Sequence, residues 1–367
     1  MNFWHTANWP ELDGRYLDNG RFSTPDGETM IDFTASGVRS GHLGWLAAGE
    51  EVAGATAATA AARLLALAPA GYIFGGWYAD RAEATAAVAA AVARRGGQVL
   101  CLGGREAEGV VSIPAPTSGG PGFDLEESRV ASQQAALVAY EEHEIGAAWL
   151  TPLGTEADCC PLVADDWLWW REQTEKSNSW LVVDESGAAL GRLGDWWGHQ
   201  VADIRPDVLI IGDLLAGGQP LAAVLVRADL DGGEILVVGG EASSLAVAWA
   251  MVEGGLVRAE MGMAAAMAGG KRLAERLFDW QMRYPFFGDV RGAGLSWATE
   301  IGVPFRGADP YLAESIQMGA AEEGLWLGRG GEANHVLLWR PPLFSDAELI
   351  DEACDRFEAA LEELFED

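Results

Sequence analysis

From Gly71 onward, short apolar runs alternate with longer segments of helical spacing. GYIFGG reads as a strand, DRAEATAAVAAAVARR as an alanine-rich helix, and QVLCLGG and GVVSIP as strands. ASQQAALVAYEEH then predicts a helix, IGAAWLTP a strand and DDWLWWREQTEKS another helix, before SWLVVDES, DVLIIGD and PLAAVLV return to strand. Continuous apolar strands separated by helices predict a mostly parallel sheet buried on both faces. A long helical region over residues 242–282 follows, interrupted by glycines at Gly254, Gly255, Gly262, Gly269 and Gly270. After it, DVRGAGLSWATEIG, GLWLG and HVLLWRPP alternate with two helical stretches, a compact α+β pattern that the strand-rich DGETMIDFTASG near the amino terminus is expected to join. The expected organisation is a large α/β domain over 43–255 and a smaller α+β domain built from both chain ends, 1–42 and 256–367.

Composition narrows the function. The chain has 367 residues, nearly half of them apolar, and a formal net charge of −31. Phosphate backbones are bound by clustered Lys and Arg, so nucleic acid is excluded as an expected partner, and an anionic membrane is disfavoured. No apolar run reaches the length of about 18 residues that a membrane span needs, and the amino terminus lacks the pattern of a secretion signal. With four cysteines and no CxxC spacing, free thiols and a cytoplasmic location are expected, and no metal site. Of 24 basic residues, Lys176 and Lys271 are the lysines, which leaves 24 − 2 = 22 arginines. Acid excess with scarce lysine suits a salt-rich cytoplasm; GC-rich coding gives the same bias. The five histidines are scattered without ligand spacing and read as surface or turn residues.

Two catalytic readings fail at once. LVVDE resembles the acidic strand end of a nucleotide hydrolase, but no GxxxxGK[ST] loop accompanies it, and there is no GxSxG elbow. A third arrangement holds over most of the chain. SWLVVDESGAALGRLGDWWGHQ is followed by DVLIIGDLLAGGQPLAAVL, with Asp184-Glu185, Gly191-Arg192, Gly194, Gly217, Gly218, Pro220 and Leu221 as its marks; VRGAGL at Arg291 and Gly292 and RPPL at Arg340 to Leu343 come later. In this order the segments resemble the class III aminotransferases, pyridoxal-phosphate enzymes of fold type I. The resemblance implies an α/β, fold-type-I aminotransferase-like chain with a mostly parallel, seven-stranded-type sheet in the large domain.

The implied chemistry is altered. Where such enzymes carry the Schiff-base lysine, this chain has Asp213, and a carboxylate has no nitrogen for an imine. The residues that pack on the cofactor ring and bond its phenolic oxygen correspond to Ser186 and Gly187. The ring-stacking segment aligns with Ala107-Glu108-Gly109, and the phosphate turn with Arg81-Ala82-Glu83, which puts a carboxylate where phosphate lies in the family. The partner-subunit threonine corresponds to Gly239 or a neighbour, and the substrate-carboxylate arginine to Leu338, with Arg340 close by. Asp184, which the resemblance would pair with the pyridine nitrogen, remains; its alternative role is to cap the next turn or pair with an arginine such as Arg192.

No catalytic residue is therefore expected, and no cofactor, pyridoxal phosphate entering only if the degenerate positions Asp184, Ser186 and Gly187 still hold it non-covalently. The leading expectation is a pseudoenzyme with a binding or assembly role. The alternative is a lysine-independent enzyme that uses non-covalently bound pyridoxamine or pyridoxal phosphate, or another ligand, with Asp213 as base. An ordinary transaminase would need another amine. The partners implied are a second copy of the chain, meeting near residues 37–46 and 237–247, and an active paralogue. Trp196 and Trp197 are candidates to fill the old cleft.

Overall fold

The computed structural model describes residues 15–18, 21–24, 26–33, 57–103, 107–116, 125–155, 158–212, 215, 221–230, 245–303, 307–343 and 345–365. The first elements among the described residues are β1 (Arg15–Asp18), β2 (Arg21–Ser23), β3 (Thr29–Phe33) and α1 (Ala57–Leu67). Next come β4 (Tyr72–Tyr78), α2 (Arg81–Arg95), β5 (Gln98–Leu102), β6 (Val110–Ile113), α3 (Leu125–Glu142) and β7 (Ile145–Leu150). Then follow α4 (Ala164–Lys176), β8 (Trp180–Asp184), β9 (Val208–Ile211), β10 (Ala222–Arg227) and α5 (Leu245–Arg283). The remainder is β11 (Phe287–Ala293), β12 (Ser296–Val303), β13 (Gly307–Ala308), α6 (Pro310–Glu322), β14 (Leu325–Gly330), β15 (Val336–Trp339) and α7 (Ala347–Phe365).

The central segment builds a seven-stranded sheet in the order β4-β10-β9-β8-β7-β5-β6. β9, β8, β7, β5 and β6 run parallel, and β10 alone is reversed, antiparallel to both β9 and β4. The carboxyl ends of β4, β8 and β9 therefore share one edge of the sheet, the edge at which open α/β sheets bind ligands. WLVVD and VLII are buried at every position, because helices cover both faces. Buried Asp207 secures the opposite edge: its carboxylate accepts the Leu181 amide at 2.7 Å and Arg171 Nη1 at 3.0 Å, and lies 2.5 Å from Arg227 Nη1.

A second sheet has the order β1-β2-β3-β14-β15-β12-β11, with β13 beside β12. The amino-terminal strands join it through β3, which pairs with β14 in parallel register, Ile31 opposite Leu325. An aromatic group sits within its largely aliphatic core. Trp280 on α5, Trp339 on β15 and Phe357 on α7 meet with ring centroids 4.7–5.6 Å apart, the spacing at which tilted rings attract.

The glycines of the long helical region do not break it. α5 runs for 39 residues through all of them. Gly270 has a packing role: a Cβ there would lie 1.9 Å from the Gly294 carbonyl oxygen, so the helix can touch the β11–β12 turn only with hydrogen at that position. That contact outweighs the intrinsic cost of glycine in a helix, about 1 kcal/mol.

Thiol chemistry follows from burial. Cys159, Cys160 and Cys354 are buried free thiols, whereas Cys101 is half-buried. Burial raises the Cys159 thiol and pushes Cys160 up to about 11 and Cys354 up to about 12, from an ordinary value of 9.0. The folded state thus favours the protonated thiols. The stability this contributes is complete below about pH 9 and is lost as pH rises through the folded values. At pH 8 a disulfide reagent should titrate Cys101 in the folded protein and the other three only after denaturation; fast reaction of all four in the native state would contradict the burial.

Candidate functional site

The site grows out of the shared carboxyl edge. β8 ends at Asp184, β9 ends one residue before Gly212, and β4 leads through Asp80 into α2, whose first residue is Arg81. These three chain ends converge on one buried carboxylate. Asp184 is 4% exposed. Its Oδ1 accepts the Ser186 amide at 3.1 Å, which turns the chain after the strand. Its Oδ2 accepts Arg81 Nε at 2.9 Å and lies 2.9 Å from Arg81 Nη2. Both oxygens are engaged, one by the chain's own turn and one by a guanidinium that is itself mostly buried.

Ser186 Oγ accepts the Gly212 amide at 2.8 Å and ties the end of β9 to the turn after β8. Gly187 follows, half-buried. A Cβ on Gly212 would lie 2.8 Å from Arg81 Cβ, so the arginine stem runs directly beside the residue that precedes Asp213. Asp213, Gly217, Gly218, Pro220, Gly239 and the expected dimer segments 37–46 and 237–247 lie outside the described residues.

The start of α2 is closed by its own acids. Asp80 is the N-cap and accepts the Glu83 amide at 2.8 Å, while Glu83 reaches back to accept the Ala79 amide at 2.7 Å. This is a variant of the capping box, with the second bond one residue earlier than usual. The positive end of the helix, which would attract a phosphate, already faces two carboxylates.

Directly beneath Asp184, fully buried Glu185 holds the next turn together. Its carboxylate accepts the Gly198 amide at 2.8 Å and the His199 amide at 3.1 Å, and lies 2.7 Å from His199 Nδ1. His199 is thus a buried partner of Glu185, not the surface residue its isolation in sequence predicts. His335 is buried as well, its Nε2 3.5 Å from Glu300 Oε1, which Arg291 Nη1 approaches at the same distance. His143 is exposed as expected. Neither sequence position carries a signal for burial, because each acid partner comes from a distant segment or a non-periodic turn.

Arg192 is not the partner of Asp184. It is 2% exposed and donates through Nη1 to the carbonyls of Leu295 and Pro341, both at 3.2 Å. Burial, with Arg340 nearby, pushes its guanidinium down to about 10. Trp197 belongs to the core beside the large sheet, its Nε1 donating to the Leu67 carbonyl at 2.8 Å. Leu338 is core too, packed with Leu153, Cys159, Ala298 and Val336. Arg340 is buried beside it, its amide donating to the Phe33 carbonyl at 3.1 Å. Ala107 makes an isolated bridge to Val110, and Glu108 and Gly109 are exposed. Among the described residues no group of acids, cysteines and histidines is arranged to hold a metal, and no helix is long and apolar enough to cross a membrane.

The site is thus a buried strand-end carboxylate at the carboxyl edge of a mostly parallel α/β sheet. The sequence pattern of the class-III aminotransferases matches residues 89–361, and the chain belongs to that family. It is 34% identical over 197 residues to the diaminobutyrate–2-oxoglutarate aminotransferase of Rhizobium meliloti (strain 1021), covering 50% of this chain and 41% of the relative. It is 29% identical over 209 residues to the (R)-1-hydroxy-2-aminoethylphosphonate ammonia-lyase of Vibrio splendidus (strain 12B01), covering 55% and 43%. The matched stretch thus spans under half the length of either relative. The N-acetylornithine aminotransferase of Stenotrophomonas maltophilia K279a superposes with a TM-score of 0.77 at 21% identity, over 98% of both chains. An aminotransferase of Bacillus anthracis superposes with a TM-score of 0.82 at 18% identity, over 98% of this chain and 96% of that one. The fold is that of the aminotransferases.

The expectation that no cofactor is used gives way to this finding. The family is pyridoxal-phosphate-dependent, so pyridoxal phosphate is the group against which this edge is judged. As the side chains stand, the described residues do not fit it. Arg81 holds the carboxylate that would face the ring nitrogen, and Asp80 and Glu83 close the helix start that would face the phosphate.

Glu185→Ala would strand two buried amides and an imidazole. Leaving a buried donor without its acceptor costs about 1–3 kcal/mol. Urea denaturation of the variant should show a loss in that range; a loss under about 1 kcal/mol would mean that Glu185 is dispensable to the turn.

Proposed function

We propose that this chain is a class III aminotransferase-family protein that does not transaminate, and that it serves in binding or assembly as a homodimer. Any pyridoxal phosphate it takes is held without a covalent bond to the chain.

The position of the lysines carries this reading. Transamination in the family uses a lysine amine first as covalent anchor and then as proton shuttle. Lys176 closes α4 with its side chain 61% exposed and 2.7 Å from Glu172; Lys271 lies on α5, 81% exposed and 4.0 Å from Glu275. Both sit on solvated helix surfaces, each with an acidic neighbour one turn away, and Asp213 stands at the position of the family lysine. A reaction that begins with an imine has no amine to begin from. The relatives include both an aminotransferase and an ammonia-lyase, so family membership alone does not supply the missing group. The homodimer is proposed from the resemblance, since the family builds this cleft from two chains; an obligate interface of that type buries more than about 2,000 Å².

Borohydride reduction in the presence of pyridoxal phosphate should leave no cofactor fixed within the cleft. Asp213→Lys should not recover a saturable absorption band in the micromolar range, because the Arg81–Asp184 pair and the acid-capped helix would remain as they are. Saturable binding at that level would show a pocket intact but for one residue, and would overturn the reading.

The dimer is checked separately by light scattering. A mass of twice 39.0 kDa is expected at micromolar concentration, and a monomer would remove the assembly role.

A further inference from the structure

The Arg81–Asp184 pair raises a sharper possibility than loss of function. Asp184 is held at the end of a rigid parallel strand, and its position is fixed from behind by the Ser186 amide on Oδ1. Its Oδ2 accepts Arg81 Nε and lies 2.9 Å from Arg81 Nη2. The arginine is the first residue of α2, beyond the N-cap, so its backbone is fixed by the helix while its side chain pivots about its own torsions. Its stem passes beside Gly212, where the missing side chain leaves a channel that its methylenes occupy.

We infer that Arg81 sets the affinity of this cleft for protonated pyridine rings, by competing with them for Asp184. The inference rests on the Asp184 edge being the family's cofactor cleft, and it deepens that reading by naming the residue that controls entry. It does not depend on the loss of the lysine. Two cations cannot share one buried carboxylate oxygen without strong mutual repulsion, which the low local dielectric amplifies. Ring and guanidinium are therefore alternatives. A ligand of this class binds only the fraction of molecules in which Arg81 has swung out, and its apparent affinity falls by that fraction. An open form populated at about 1% would weaken binding about a hundredfold. In the absence of ligand Arg81 is the counter-charge of this buried carboxylate, which keeps the open form a minor one.

The test uses the full chain and pyridoxamine 5′-phosphate, whose ring carries the pyridine nitrogen and whose amine cannot form an imine with any lysine. Binding is followed by quenching of tryptophan fluorescence in the wild type, in Arg81→Gln, and in Arg81→Gln with Asp184→Asn. Arg81→Gln should bind at least tenfold more tightly than the wild type. The gain should vanish in the double variant, because it runs through the Asp184 charge. Equal or weaker binding by Arg81→Gln would overturn the inference, as would a gain that survives Asp184→Asn. Should Arg81→Gln prove unstable, the ligand becomes its missing counter-charge. Millimolar pyridoxamine 5′-phosphate should then raise the melting temperature of the variant more than that of the wild type, and no differential shift would count equally against it. Non-covalent affinity is the readout throughout, so the outcome is separable from that of the borohydride and Asp213→Lys experiments.

Discussion

A carboxylate buried at the end of a parallel strand needs a positive partner, and the choice of partner organises this molecule. Taking an ion out of water without a counter-charge costs more than a fold of ordinary stability can sustain. In a pyridoxal-phosphate enzyme the cofactor ring can supply that charge, which makes the unliganded protein electrostatically incomplete. Here Arg81 supplies it from within the chain, 2.9 Å away. The start of α2 follows the same logic with the opposite sign, since Asp80 and Glu83 bring negative charge to the amide end of the helix. Two electrostatic demands that a bound group would satisfy are met by side chains from one short stretch, Asp80 to Glu83.

The edge on which this happens is held by contacts that leave little freedom. Glu185 pins the 198–199 turn beneath Asp184. One residue group then joins the two sheets. The carbonyl of Arg192 accepts the Leu295 amide at 2.7 Å, its guanidinium returns to the Leu295 and Pro341 carbonyls, and Gly270 of α5 rests against Gly294. Atoms are so close at this joint that it admits only glycine on both sides. The scaffold around the Arg81–Asp184 pair is thus held tightly on every side described.

Most of the architecture was legible in the chain because burial writes itself into periodicity. Strands such as WLVV and VLII are apolar throughout since both faces are covered, and the alternation with helices follows from parallel connection. The continuity of α5 was not legible, because glycine in a helix reads as a break unless its packing partner is known, and Gly294 lies 24 residues further along. The site was half-readable. Asp184 and Ser186, singled out from the family order, do meet Arg81 and Gly212 at the strand ends, and Glu83 caps its helix. Arg81 stood in the same triplet and was passed over, since nothing in sequence says that it reaches a strand end 103 residues away. The signal was an arginine and an acid together at the expected phosphate turn, which makes sense only as a pair. His199 left no trace of any kind, its burial being a property of the turn that Glu185 closes.

The solvated lysines have a practical side. A chain of this size commonly offers amine reagents a crowd of targets, whereas here the side-chain amines are confined to one helix of each sheet layer, Lys176 on α4 and Lys271 on α5. A dye, a crosslinker or a solid support coupled through them would grip the molecule by its outer helices. The carboxyl edge of the parallel sheet would remain chemically untouched, so the protein can be labelled or immobilised without a single substitution.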